Sequence, residues 1–470
     1  MNRRACRRWI FAALLAALLP PGFARADGFA LEPFGSVAVT APGGAPRSVA
    51  LFVSGDGGWN AGMIDMARRL ADAGALVMGI DIRHYLASMR GDGTQCRSLA
   101  VDFERLAHVA QRRFALPAYL MPALVGYSSG ASLVYAVLAQ SPPGTFAGAL
   151  SLGFGPDVEA PATLCRGRDL QYDVGRSGEY LLHPTTALRE PWIVLQGLLD
   201  QVTSPAAAAR FAAATPRAQY VPLPHVGHGF GHPRDWAPQF LDGYSRIAAA
   251  GAARPVSDAL ADLPVTEVPA APGVAPAPGC SDCVAVLLSG DGGWSGLDQD
   301  LAAGFAARGI PVVGFSSLRY FWQPRTPAQT TADVQRVIAH ALQRFGRARV
   351  LVVGYSFGAD VLPFVVNRLP ESFLSRLASV NLLGLSREAV FEVKVADWIT
   401  GGRQRDDTLP VVEEILRMPA LRTRCFWGDG EDDDPCPTLP RNRVAGERVG
   451  RGHHFSGDAS ALVERMLTTS

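Results

Sequence analysis

The sequence predicts an α/β protein built as two tandem, related domains, each a mainly parallel sheet flanked by helices. Three observations predict it. Short apolar runs alternate with segments of helical period. The same motifs occur twice, in the same order. A proline-rich stretch separates the two copies.

The alternation comes first. Runs such as "ALFV" and "RVLVV" are continuously apolar, as strands covered on both faces must be. Between them, "MIDMARRLADAG" and "LDQDLAAGFAARG" place apolar residues at i, i+3 and i+4 and end on Gly, a helix with its C-cap. Strand–helix–strand alternation implies a parallel sheet with helices on its faces.

The repeat comes second. "RSVALFVSGDGGWN" is answered by "CVAVLLSGDGGWS", "GALVMGIDIRHYL" by "GIPVVGFSSLRYF", and "FAGALSLGFG" by "LASVNLLGLS". "LMPALVGYSSGASLVYAVLAQSP" pairs with "ARVLVVGYSFGADVLPFVVNRLP", and "VGHGF" with "RGHHF". Between the copies, residues 254–279 hold six Pro, a composition that reads as an extended linker. The expected division is a first domain at 27–253 and a second at 280–470.

The chain of 470 residues opens with an Arg-rich start, an apolar run from Trp9 to Leu19, and Ala24-Arg25-Ala26. This is the pattern of a secretory signal peptide, residues 1–26, cleaved after Ala26. Its removal takes five Arg and no acid from a chain with 44 basic and 43 acidic residues. The remainder is mildly acidic, which argues against nucleic acid as a partner. Six of the seven Cys remain, an even number suited to an oxidising compartment. The domain division favours the pairs Cys96–Cys165, Cys280–Cys283 and Cys425–Cys436. No metal-ligand spacing stands out, and no cofactor is expected.

The chemistry concentrates in "GYSSG" (126–130) and "GYSFG" (354–358). Each follows an apolar strand and opens a helix, the context of a nucleophile elbow. The turn holds the serine in a strained conformation, and side chains at the flanking glycines would clash. Ser128 and Ser356 are the expected nucleophiles of α/β-hydrolase-like domains. On such a fold an acid and then a histidine follow the serine. In the first domain these are Asp200, in a turn after "WIVLQG", and His228. In the second, aligning G-H-x-F gives His453, with His454 as runner-up. The second acid stays open: Glu431 or Asp432 is favoured, with Asp429, Asp433 and Asp434 within reach.

The repeated "SGDGGW" sits where such folds place a glycine-rich turn that binds the oxyanion. Glycines let backbone N–H groups approach a developing charge. Gly57, Gly58 and Trp59, and Gly292, Gly293 and Trp294, are the candidates, with the N–H groups of Ser129 and Phe357 after each nucleophile.

These motifs, with "LRYFWQPRTPAQTTADV", "VGYSFGADVLPFVVNRLP" and "GRGHHFSGD", resemble the bacterial virulence proteins of the AcvB/VirJ family, and the two-domain arrangement resembles the AcvB type. The resemblance implies a periplasmic α/β-hydrolase that cleaves lysyl-phosphatidylglycerol, an aminoacylated membrane lipid. It makes the second domain the main catalytic unit, with Ser356 as nucleophile and His453 as base. The acidic run from Glu431 to Asp434 would then favour the lysyl ammonium groups, with Asp433 and Asp434 as substrate contacts. "LRYFWQP" would either touch lipid or belong to the core. A competing expectation is a periplasmic binding or chaperone protein for secreted factors, with vestigial triads.

Overall fold

A computed structural model of the protein describes residues 28–89, 96–252, 257–394, 407–431 and 433–468. The expected signal peptide and Asp432 lie outside the described residues.

The first domain is an eight-stranded sheet. Its strands lie in the order Phe29–Leu31, Gly35–Thr40, Ala75–Ile80, Ser48–Val53, Ala123–Tyr127, Gly148–Leu152, Trp192–Gly197 and Ala218–Leu223. The first two strands pair antiparallel with each other, and the second pairs antiparallel with Ala75–Ile80. All other neighbours are parallel. Apart from half-buried Ser48, the strands Ser48–Val53, Ala75–Ile80, Gly148–Leu152 and Trp192–Gly197 are buried throughout, as their largely apolar sequences require. Helices such as Ala61–Asp72 and Leu99–Arg113 cover the faces, each burying the stripe that its period defines.

The second domain repeats this plan with seven strands, in the order Val265–Val268, Val312–Phe315, Cys283–Leu288, Arg349–Tyr355, Leu377–Leu383, Thr423–Asp429 and Val444–Arg451. Only its first strand is antiparallel. That strand corrects the expected boundary. Residues 254–279 are not an extended linker along their whole length: Val265–Val268 pairs with Val312–Phe315 as the sheet edge. Leu260 and Leu263 are buried in the second core. The prolines leave this edge strand intact because an edge needs ladder bonds on one side only.

The expected disulfides form: Cys96–Cys165, Cys280–Cys283 and Cys425–Cys436. Among the described residues no helix is long and apolar enough to cross a membrane.

The domains meet through "LRYFWQP". Leu318, Tyr320, Phe321 and Trp322 are buried. The Trp322 indole N–H donates to Leu116 O at 2.8 Å. Its ring lies under the Arg112 guanidinium at 3.8 Å and beside Tyr119 at 5.3 Å. This aromatic cluster is the seam between the two halves.

Candidate active sites

Each nucleophile sits between the end of a central strand and the start of a helix. Ser128 has φ 56° and ψ −124°, and Ser356 has φ 51° and ψ −122°. These are left-handed φ values that non-glycine residues rarely adopt. The elbow survives because its neighbours leave no alternative. A Cβ at Gly126 would stand 2.1 Å from Gly130 O, and one at Gly130 would stand 2.5 Å from Ser54 O. The corresponding distances at Gly354 and Gly358 are 2.5 Å to Gly358 O and 2.2 Å to Leu288 O. Only glycine fits at all four positions.

Both elbows face a histidine and an acid. In the first domain Ser128 Oγ lies 2.8 Å from His228 Nε2, and His228 Nδ1 lies 2.9 Å from Asp200 Oδ2. In the second, Ser356 Oγ lies 2.8 Å from His453 Nε2, and His453 Nδ1 lies 2.6 Å from Glu431 Oε1. The structure therefore brings Ser128, His228 and Asp200 together, and Ser356, His453 and Glu431. His454 is turned aside, with Nδ1 at 2.7 Å from the Tyr355 hydroxyl.

Asp200 is held by more than its histidine. Burial works to raise its pKa. Hydrogen bonds from His228, from the Thr203 N–H and hydroxyl, and from the Val202 N–H outweigh that and hold it below the usual range. Asp434 behaves differently. Burial, then the nearby Glu431, push it up to about 6, against two backbone bonds. Its carboxylate accepts from Leu385 N–H at 3.0 Å and Cys436 N–H at 2.7 Å. It thus clips the acid loop to the sheet, while Asp433 beside it is exposed.

Two tyrosines, which the sequence reasoning passed over, steady the histidines. Tyr127 donates to His228 O at 2.9 Å, and Tyr355 to His453 O at 3.3 Å. Their identity at the second position of both G-x-S-x-G motifs was the available signal.

The "SGDGGW" turns lie beside the nucleophiles, but their inner hydrogen bonds correct part of the expected oxyanion hole. Gly58 N–H closes the turn onto Gly55 O, and Gly293 N–H closes onto Gly290 O. Trp59 N–H donates to Asp81 Oδ2. Gly58, Gly293 and Trp59 have therefore spent their donors inside the fold. Gly57 and Gly292 lie further along the turn. The residue against the nucleophile is Gly55, where a Cβ would stand 2.9 Å from Ser128 Cβ. Gly290 holds the same place by Ser356, at 3.5 Å. The other donors expected, the N–H groups of Ser129 and Phe357, stand at the first position of helices Ser129–Gln140 and Phe357–Val366. Helix-starting N–H groups have no partner within the helix.

The rest of the motif anchors the turn. Ser54 and Ser289 are buried and accept from Ile82 N–H and Ser317 N–H. The tryptophan rings lie flat over a glycine of the neighbouring strand. A Cβ at Gly79 would meet Trp59 at 2.2 Å, and one at Gly314 would meet Trp294 at 2.2 Å. Trp294 thus orients the turn through its ring.

A family model described as bacterial virulence protein (VirJ) matches residues 47–147 and 282–470. The chain belongs to this family. The VirJ match spans the second domain, but in the first it ends before Asp200 and His228. No curated protein matches the sequence. Among solved structures, the chain is similar to the esterase domain of a Rhodothermus marinus protein. Identity is 17%, with 46% of this chain and 92% of that one covered, at TM-score 0.30. It is similar to a lidless α/β serine hydrolase from Xanthomonas campestris, at 20% identity, 49% and 97% coverage, and TM-score 0.32. An esterase from Thermogutta terrifontis gives 19%, 49% and 95%, and 0.32. This VirJ-family chain carries two α/β domains, each with its own Ser–His–acid constellation.

Proposed function

We propose that the second domain is a serine ester hydrolase that removes the lysyl group of lysyl-phosphatidylglycerol, in the periplasm of an exporting bacterium. The observation that carries this reading is the Ser356–His453–Glu431 relay set in a strongly acidic neighbourhood. Ser356 Oγ attacks the ester carbonyl while His453 Nε2 takes its proton. Glu431 holds the ring and stabilises the imidazolium that forms. The ester C–O bond breaks, and His453 returns the proton to the departing lipid alcohol. Water then attacks the acyl-serine, giving its proton to His453 and then to Ser356 Oγ, and lysine leaves. The charge on the tetrahedral oxygen develops beside the Phe357 N–H, where a preorganised donor contributes on the order of 3 kcal/mol.

The acyl group supports the choice of substrate. A lysyl ester carries two ammonium groups, and a site lined by one sign of charge concentrates the opposite ion. Exposed Asp433 stands two residues from Glu431. Asp291 lies near enough to influence Tyr355 and His454 beside the triad. The family membership and the disulfides fit an exported protein.

The test is lysine release from lysyl-phosphatidylglycerol in mixed micelles by residues 27–470. Release by the wild type and none by S356A supports the reading. No release by folded, oxidised wild-type protein overturns the substrate.

A further inference from the structure

The first domain holds a complete triad of which the family match reaches only Ser128, since that match ends at residue 147, before Asp200 and His228. Its serine–histidine distance equals that of the second site, 2.8 Å, and its histidine–acid contact is 2.9 Å against 2.6 Å there. The strained serine φ and the unpaired helix-start N–H are also retained.

The two sites differ in the loop that carries the acid. In the second domain this loop reads Asp-Gly-Glu-Asp-Asp-Asp, residues 429–434. In the first it reads Leu198-Leu199-Asp200-Gln201-Val202. There the acid is turned inward to His228, and the apolar side chains around it face solvent. Leu198, Leu199 and Val202 are 47%, 61% and 72% exposed. Among the described residues eight large apolar side chains are exposed, and three of them fall in this one loop. Chance scatter would not place them around a catalytic acid.

We propose that Ser128, His228 and Asp200 form a second, independent esterase site, selective for esters of apolar acyl groups. The acyl chain lies along Leu198, Leu199 and Val202 while Ser128 Oγ attacks its carbonyl. His228 takes the serine proton and passes it to the leaving alcohol as the ester C–O bond breaks. Water cleaves the acyl-serine by the same relay and restores Ser128. Each methylene of the chain that leaves water for this apolar loop adds to binding. Two carboxylates, Asp56 and Asp157, lie near one another on this side of the domain. A charged-ester arm below tests whether they set the preference instead. The assignment does not depend on the aminoacyl reading of the second site.

The experiment uses full-length mature protein carrying S356A, so that label or turnover that remains belongs to Ser128. A fluorophosphonate probe is expected to label this variant, and S128A/S356A is expected to show none, with both giving wild-type circular dichroism. The S356A protein is expected to hydrolyse p-nitrophenyl octanoate faster than the acetate, and to leave lysine ethyl ester untouched. L199D/V202D in that background is expected to lower the octanoate-to-acetate ratio of kcat/KM about tenfold. Phosphatidylglycerol micelles separate two sources of the chain: fatty-acid release places it in a membrane lipid, whereas octanoate turnover without release places it in a small soluble ester. A folded S356A protein that takes no label overturns the second site. Preference for lysine ethyl ester, or an L199D/V202D variant with an unchanged octanoate-to-acetate ratio, overturns the apolar specificity.

Discussion

Glu431 Oε1 lies 2.6 Å from His453 Nδ1, and this contact singles out one carboxylate from a loop crowded with them. The other oxygen of Glu431 accepts from Gly428 N–H at 3.1 Å, so the acid is fixed at both ends. E431Q would keep the shape but present the wrong partner to the ring N–H. A comparable change in a known triad costs roughly 10⁴-fold in kcat. We expect a loss of about that size in ester hydrolysis, with KM nearly unchanged. Steady-state kinetics beside an unchanged circular dichroism spectrum checks it.

The glycine after the nucleophile gives a structural prediction. A Cβ on Gly358 would stand 2.2 Å from Leu288 O and 2.7 Å from Ser289 O. Both are backbone atoms of a buried strand end and cannot swing away. G358A should therefore push the helix off the sheet, costing at least about 1–3 kcal/mol. Thermal unfolding should show a lowered transition, and Ser356 should lose its reactivity toward a fluorophosphonate.

How much of this was legible in the sequence depends on the range of the forces involved. The elbows were legible because their constraint is local: glycine, serine and glycine within five residues dictate the turn. Asp200 was legible because it is the sole acid in its loop. Glu431 was not separable from Asp432 or Asp433, since only the folded loop decides which carboxylate meets the ring. The oxyanion turn was half legible. Its glycines announce a tight turn, but the N–H groups of Gly58 and Gly293 are consumed by bonds four residues long that spacing does not reveal. Trp322 and Val265–Val268 were obscured for a shared reason. An aromatic cluster looks alike in a core and in a domain seam, and a four-residue strand between prolines looks like a linker.

The seam couples the first domain to the second site. Gln299 Nε2 donates to Trp294 O at 3.0 Å and, across the domains, to Pro143 O at 3.1 Å. Gly144 leaves room for this contact, since a Cβ there would stand 2.6 Å from Trp294 O. Q299A removes both bonds, each worth about 1 kcal/mol, and loosens the turn beside Ser356. We expect a few-fold fall in second-site kcat and no change in labelling of Ser128. Equal loss at both sites would mean general destabilisation instead.

The same seam makes stability depend on pH. Glu104, on helix Leu99–Arg113, lines a cavity of about 640 Å³ together with Gly292 and Gly293 of the second domain's turn, close enough to Asp291 to feel its charge. Burial, and then Asp291, push its carboxyl up to about 7 from 4.5. A folded-state pKa above the unfolded one means that the folded protein binds the proton more tightly. The contribution is then fully present below about 4.5 and is lost as pH rises through about 7. Glutamine stays neutral and keeps a similar shape. E104Q should therefore match the wild type near pH 4 and exceed it near pH 8, by several degrees in Tm. Thermal unfolding of both proteins across that range is the measurement. A difference that stays flat with pH would show that Glu104 does not titrate between the two domains.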